Sequence, residues 1–159
     1  VDHAGADIGQ PTSFFVGAAL NLCPANPDRE IKVLRRKLEA GADFILTQPV
    51  YQPENAEQFL ERYADRYGPL ETPILVGVLP LYGVRHAAFL HNEVPGISIS
   101  DDIRRRLEQA GDRAPEAGVR ISLELIERMR PWTGGVYLMP AFNRFDLAAE
   151  VVEGVRACS

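Results

Sequence analysis

The amino-acid sequence predicts an α/β protein built of four or five successive strand-then-helix units of a parallel barrel, on three observations. Short apolar runs recur without the alternation of a strand that is buried on one face only. Segments with helical spacing of apolar residues lie between those runs, which demands parallel strands joined by right-handed crossovers. No Gly-rich turn follows the first run, where residues 21–24 read Asn-Leu-Cys-Pro. An open dinucleotide-binding sheet should carry such a turn, so the closed barrel is favoured over the doubly wound sheet.

Residues 1–12 are polar and loop-like, open on Val1, and read as a leading segment of a chain cut from something longer; residues 13–159 carry the repeating units. The first strand is expected over 13–20, an unbroken apolar run suited to burial on both faces. A loop at Pro24 to Pro27 follows, and Asp28 is expected to cap a helix whose stripe is Ile31, Leu34 and Leu38 and which ends at Gly41. Residues 44–48 form the second strand. A polar helix runs from Pro53 to about Tyr67, broken by Gly68-Pro69, and leads to a third strand over 73–79. The next helix spans about 83–93 and stops before Pro95-Gly96; Ile97 to Ile99 is a candidate short extended segment. Ser100 reads as the cap of a helix to Ala110, and a longer helix over about 115–130 presents Ile121, Leu125, Ile126 and Met129. The last strand is expected over 135–139 and the last helix over 146–157.

A complete (β/α)8 barrel needs eight strands and about 250 residues, so a chain of 159 residues with four firm strands is about half of one. Half a barrel leaves two unpaired sheet edges, which implies a missing partner segment or self-association.

The composition, 46% hydrophobic and 25% charged, is that of an ordinary globular domain. A net charge of -5 would repel phosphate backbones and anionic lipid heads, which argues against nucleic acid or a membrane surface as partner and in favour of small molecules. Two cysteines, Cys23 and Cys158, make neither a disulfide framework nor a zinc site and fit a reducing cytoplasm. No apolar stretch approaches the roughly 20 residues that span a bilayer.

In such barrels the chemistry sits where strands give way to loops. Here those positions hold Asn21, Gln48 with Tyr51, Pro80 to Tyr82, and Pro140 to Arg144, a polar and aromatic set in which only Arg144 and nearby Asp146 are charged. It contains no carboxylate pair for acid–base work. Both lysines, Lys32 and Lys37, belong to the first helix, so a Schiff-base mechanism has no nucleophile at a strand end. His86 and His91 stand about 140° apart on a helix and do not form a metal pair. Gln48 has two readings, a hydrogen bond to a neighbouring loop or one to a ligand. Arg35, Arg36 and Lys37 read either as a solvated face or as a reach over the barrel rim, for which Lys37 is best placed at the edge of the apolar stripe. Arg144 is an anion fork or half of a surface ion pair. Tyr51, Tyr82 and Phe142 either pack or stack on a planar ring.

Four phrases taken together resemble one family. The run from Glu30 to Tyr51, with Lys37 and Gln48 inside it, is similar to the central signature of methylenetetrahydrofolate reductases, as are Gly77-Val-Leu-Pro80, Phe89 through Ile97, and Gly135 through Phe142. The wording is most similar to the bacterial form fused behind a homocysteine S-methyltransferase domain, and the resemblance extends from about Phe14 to Arg156. It implies a (β/α)8 TIM-barrel flavoprotein of which this chain supplies about strands five to eight. In that family FAD takes a hydride from NADH or NADPH and passes it to 5,10-methylenetetrahydrofolate, giving 5-methyltetrahydrofolate. By the resemblance Gln48 is the folate-contacting glutamine, whose amide donates and accepts along a pterin edge. Glu30 and Lys37 fall on positions that hold FAD, Arg144 lies near the folate tail, and Phe142 lines the same cleft. Glu30 stands where a shorter acid is usual, and Val33 replaces a polar residue. The family's general-acid glutamate and the remaining flavin-cradling residues belong to the first half of the barrel. Two other readings stand beside this one. The first is an inert half-barrel that self-associates and at most binds folate or flavin weakly. The second, a barrel lyase or transferase for phosphorylated substrates, meets the objection that Pro80-Leu-Tyr and Pro140-Ala-Phe offer few backbone donors.

Overall fold

A computed structural model describes residues 1–10 and 13–157; the leading segment's Pro11 and Thr12, together with Cys158 and Ser159, lie outside the described residues. Four strands, β1 (Gly17–Leu20), β2 (Phe44–Pro49), β3 (Ile74–Val78) and β4 (Gly135–Leu138), pair in chain order and all in parallel. Between them run α1 (Pro27–Glu39), α2 (Pro53–Tyr67), then α3 (Val84–Glu93), α4 (Asp101–Ala110) and α5 (Ala114–Met129), and α6 (Phe145–Ala157) follows β4. Strictly sequential pairing is the winding of a barrel; a doubly wound sheet reverses its strand order partway. The four strands are an arc of such a barrel.

Burial along the strands shows where the helices lie. In β2, Ile45 and Thr47 are buried while Phe44 and Leu46 are half-buried and Gln48 is exposed. Ile45, Ile74, Val76 and Val78 belong to the core with Ile31 and Leu34 of α1, Phe59 and Tyr63 of α2, Ile126 and Met129 of α5, and Val151 of α6. A second cluster under α3 and α4 joins Leu81, Leu90, Ile99 and Leu107 to Ile121 of α5. One sheet face is therefore packed against helices, and the other, which would line a barrel interior, is much more open. There Phe15 stacks on Phe44 at 5.3 Å, and the Phe44 ring lies across Gly17 so closely that a Cβ on the glycine would fall 2.4 Å from it.

Three expectations are corrected. β1 begins at Gly17, not residue 13, and is not buried on both faces: Gly17 and Ala19 are exposed, and Phe14 and Phe15 are 78% and 75% exposed. The reason is pairing. The partner β2 starts at Phe44, so the ladder opens with Gly17 opposite Phe44, while Val16 is held by the loop before it, its N–H donating to Asp43 Oδ2 at 2.7 Å. The cap of α1 is Asn26, not Asp28: its side chain accepts from Arg29 N at 3.0 Å, and Pro27 fills the first helical position, where its missing N–H costs nothing. Asp28 instead binds Arg62 at 2.7 Å and Arg66 at 2.6 Å, tying α1 to α2. Finally, Ile97 to Ile99 is not extended strand; Ile97 N donates to Val94 O at 3.2 Å, closing a turn, and Ile99 N donates to His91 Nδ1 at 3.1 Å. The expected cap at Ser100 holds, with its hydroxyl accepting from Ile103 N at 3.3 Å.

Candidate functional site

Every strand ends at the same rim, and the irregularity that shapes this rim is in β2. The pairing of β2 with β3 slips between Leu46 and Pro49, a bulge centred on Thr47 and Gln48. A bulge leaves ladder groups unpaired and turns a side chain to a new direction. Thr47 repairs the ladder: its Oγ1 accepts from Gly77 N at 3.1 Å and donates to Gln48 O at 2.7 Å. From β4 the Tyr137 hydroxyl crosses β3 and donates to Thr47 O. It can do so because position 77 is glycine, where a Cβ would lie 3.0 Å from that hydroxyl and 2.9 Å from Thr47 O. Gln48 is thus an exposed amide on a bulge whose carbonyls accept from the Thr47 and Tyr137 hydroxyls.

On the β1 side, Asn21 follows the strand; its Oδ1 accepts from Cys23 N at 2.8 Å, and its own N–H donates to Glu30 Oε1 at 3.3 Å. Lys37, two helical turns beyond Glu30, donates from Nζ to Ala19 O. The structure therefore brings Glu30, Lys37 and Asn21 to one flank of β1. Gly96, in the turn after α3, meets the amide ends of both Asn21 and Gln48.

The other end of the rim is aromatic. Tyr82 stacks on His86 with centroids 4.1 Å apart, and Phe142 stands edge-on to both at 6.3 and 6.2 Å. With Arg85 and Phe89 they line a cleft of about 280 Å³. His86 is 4% exposed, its Nδ1 has no hydrogen-bond partner, and burial lowers its pKa below the ordinary histidine value. Phe142 is 75% exposed, and both Phe142 and Asn143 have positive φ, 46° and 63°. Two consecutive non-glycine residues in the left-handed region are a strained arrangement of the kind found at ligand clamps. Arg144 grips Asp146 through Nε at 2.9 Å and Nη2 at 2.7 Å. That fork raises the arginine pKa and lowers that of the carboxyl. Of the two readings open to Arg144, the ion pair is the one present. Tyr51 packs: it is buried, its hydroxyl donates to Leu79 O at 2.7 Å, and burial pushes its pKa far above the phenol range.

Reading strand ends one at a time finds Gln48 and Phe142 but misses Thr47, Tyr137, His86 and Gly96. The first two act from within strands. In the sequence His86 presents itself only as half of a metal pair, and the signal at Gly96 is a Pro-Gly pair whose target lies far away in sequence. Among the described residues no group of three or more His, Cys, Asp or Glu is placed to hold a metal ion, and no helix is long and apolar enough to cross a membrane.

A sequentially paired parallel arc with its polar and strained residues gathered at the strand C-termini defines a partial (β/α)8 barrel. The family described as methylenetetrahydrofolate reductase matches residues 20–155, and the chain belongs to that family. It is 28% identical over 114 residues to methylenetetrahydrofolate reductase 2 of Saccharomyces cerevisiae, an alignment covering 67% of this chain and 18% of the yeast protein. A solved structure, an uncharacterized protein from Clostridium thermocellum described as binding two copies of 5-methyl-5,6,7,8-tetrahydrofolic acid, superposes with a TM-score of 0.63 at 19% identity. That superposition covers 90% of this chain and 54% of the other. The chain therefore spans only part of each relative's length, and the structural likeness speaks to the fold.

Proposed function

We propose that this chain is the folate-side half of a methylenetetrahydrofolate reductase barrel, active in reduction of 5,10-methylenetetrahydrofolate with NAD(P)H when joined to its first half. The observation that carries this reading is the exposed Gln48 amide on the β2 bulge, whose backbone the Thr47 and Tyr137 hydroxyls brace. An amide so placed can donate to and accept from the edge of a pterin ring. Phe142, Tyr82 and His86 offer an aromatic wall for the flat part of the same ligand. Arg144 would meet the carboxylate tail by exchanging one carboxylate partner, Asp146, for another.

The donor set on the β1 flank fits FAD. Lys37 carries three N–H donors, one of which is used on Ala19 O, so the ammonium can serve phosphate oxygens from a position already fixed against the strand. Glu30 is held by Asn21 N and can accept from a ribose hydroxyl. FAD, when bound, supplies the ring that carries the hydride between nicotinamide and folate. This chain's part is binding and orientation; the groups that move protons belong to the first half of the barrel.

A second reading has its own observation. The open face with Phe14, Phe15 and Phe44 and the unpaired edges of β1 and β4 suit a half-barrel that pairs with a second copy and has no catalysis of its own. One experiment separates the two: calorimetric titration of the chain with 5-methyltetrahydrofolate and with FAD, on wild type, Gln48→Ala and Lys37→Ala, with sedimentation of the same samples. Loss of a hydrogen bond to a charged group costs about 1.5–3 kcal/mol, and loss of two neutral bonds, one donated and one accepted at about 0.5–1.5 kcal/mol each, a similar sum, so Gln48→Ala should weaken folate, and Lys37→Ala FAD, by about tenfold or more. Saturable binding insensitive to both changes would overturn the site. A dimer that takes up neither ligand would favour the second reading.

A further inference from the structure

Residues 94–97 form a tight turn in which Ile97 N donates to Val94 O at 3.2 Å, Pro95 occupies the second position and Gly96 the third with φ +86°. That is the geometry of a type II turn, in which proline presets the first corner and the second needs the left-handed backbone that glycine adopts freely. The turn is anchored on both sides, by α3 before it and by buried Ile97 and Ile99 after it. Its apex lies against the rim: a Cβ on Gly96 would fall 2.5 Å from Gln48 Oε1 and 2.6 Å from Asn21 Nδ2. Asn21 has its Oδ1 on Cys23 N and its backbone N–H on Glu30, so the amide that meets Gly96 is fixed from behind.

We propose that Gly96 is a positioning residue, whose bare Cα seats the Gln48 and Asn21 amides side by side and links the expected folate contact to the Glu30 flank. The proposal rests on the folate reading for its consequence but not for its geometry. Both atoms that a methyl would strike are ends of flexible side chains. An alanine at this position is therefore accommodated by swinging the amides away, which for Asn21 breaks the Oδ1 bond to Cys23 N, rather than by unfolding the turn. Its effect falls on the site.

Gly68 supplies a control. It also has positive φ, +80°, and nothing within 4 Å of where a Cβ would stand, so an alanine there strains the backbone without touching the rim. Gly68→Ala therefore reports the effect of backbone strain alone, and Gly96→Ala adds the clash at the rim. In the ¹⁵N-labelled chain, wild type should show a nuclear Overhauser contact between the Gly96 α-protons and the Asn21 side-chain amide. Gly96→Ala should move the side-chain amide resonances of both Asn21 and Gln48, and Gly68→Ala should move neither. Titrated with 5-methyltetrahydrofolate, Gly96→Ala should weaken binding about as much as Gln48→Ala does, tenfold or more, with Gly68→Ala unchanged. Absence of the Overhauser contact in wild type, or amide resonances unmoved by Gly96→Ala, would overturn the clamp even if that variant folds poorly. A clamp confirmed by resonance in a chain whose folate affinity ignores Gln48→Ala would leave the geometry standing and remove the folate reading.

Discussion

His86 is the residue whose surroundings give the sharpest solution behaviour. It is buried with Nδ1 unpartnered, stacked on Tyr82, and its pKa is lowered because burial disfavours the imidazolium. Above the ordinary histidine range the ring is neutral in folded and unfolded chains alike and contributes no pH dependence. As pH falls through about 6.5, the unfolded chain takes up the proton first, so stability drops until the folded pKa is reached and then levels off. Urea midpoints measured between pH 7.5 and 5 should show that decline in wild type, and His86→Gln should flatten it; a parallel decline in the variant would place its origin elsewhere. Cys23 behaves in the opposite sense to a reactive thiol. Burial, reinforced by the Glu54 carboxylate, pushes it up to about 11, and the sulfur donates to Gln52 O at 3.7 Å.

At the scale of elements, α5 is fixed by a glycine. A Cβ on Gly118 would stand 1.7 Å from Leu81 O, a backbone atom with no freedom to yield, in the loop that leads from β3 toward the aromatic cleft. Gly118→Ala should cost about 3 kcal/mol or more in chemical denaturation, the upper end of overpacking effects, and a loss under 1 kcal/mol would show that α5 can slide. Elements also explain what could be read in the sequence and what could not. The α2 boundaries at Pro53 and Tyr67 follow from local signals, a proline suited to the first turn and Gly68-Pro69 after the last. The start of β1 does not, because Phe14 to Val16 look like strand and only the position of Phe44 on the neighbour decides where pairing begins. Asn26 and Asp28 are both capping residue types, and Pro27 between them settles the choice. The place of Gln48 near a strand end was legible because it closes an apolar run. The roles of Tyr137 and Gly96 were not, since each depends on a chain segment dozens of residues away.

At the scale of the whole molecule, the arc has a dry outer face and an apolar inner one. Phe14, Phe15, Phe142 and Phe145 are exposed with little covering them, more than scattered surface apolar residues usually amount to. The order in which such an arc closes follows from its connections. β1 meets β2 across one helix and β2 meets β3 across one helix, whereas β3 meets β4 only after three. Closing a longer loop costs more chain entropy before any contact rewards it. Pulse-labelling hydrogen exchange during refolding should protect the amides of β1 to β3 before those of β4, and simultaneous protection would contradict this. Because each early pairing joins a strand to the one just made, β1 to β3 can consolidate in chain order as they leave the ribosome. The Thr47 carbonyl then awaits the Tyr137 hydroxyl, which arrives only with the last strand. The rim at Gln48 is therefore completed in the final step of assembly, and a nascent chain halted before Tyr137 would carry an unfinished binding edge.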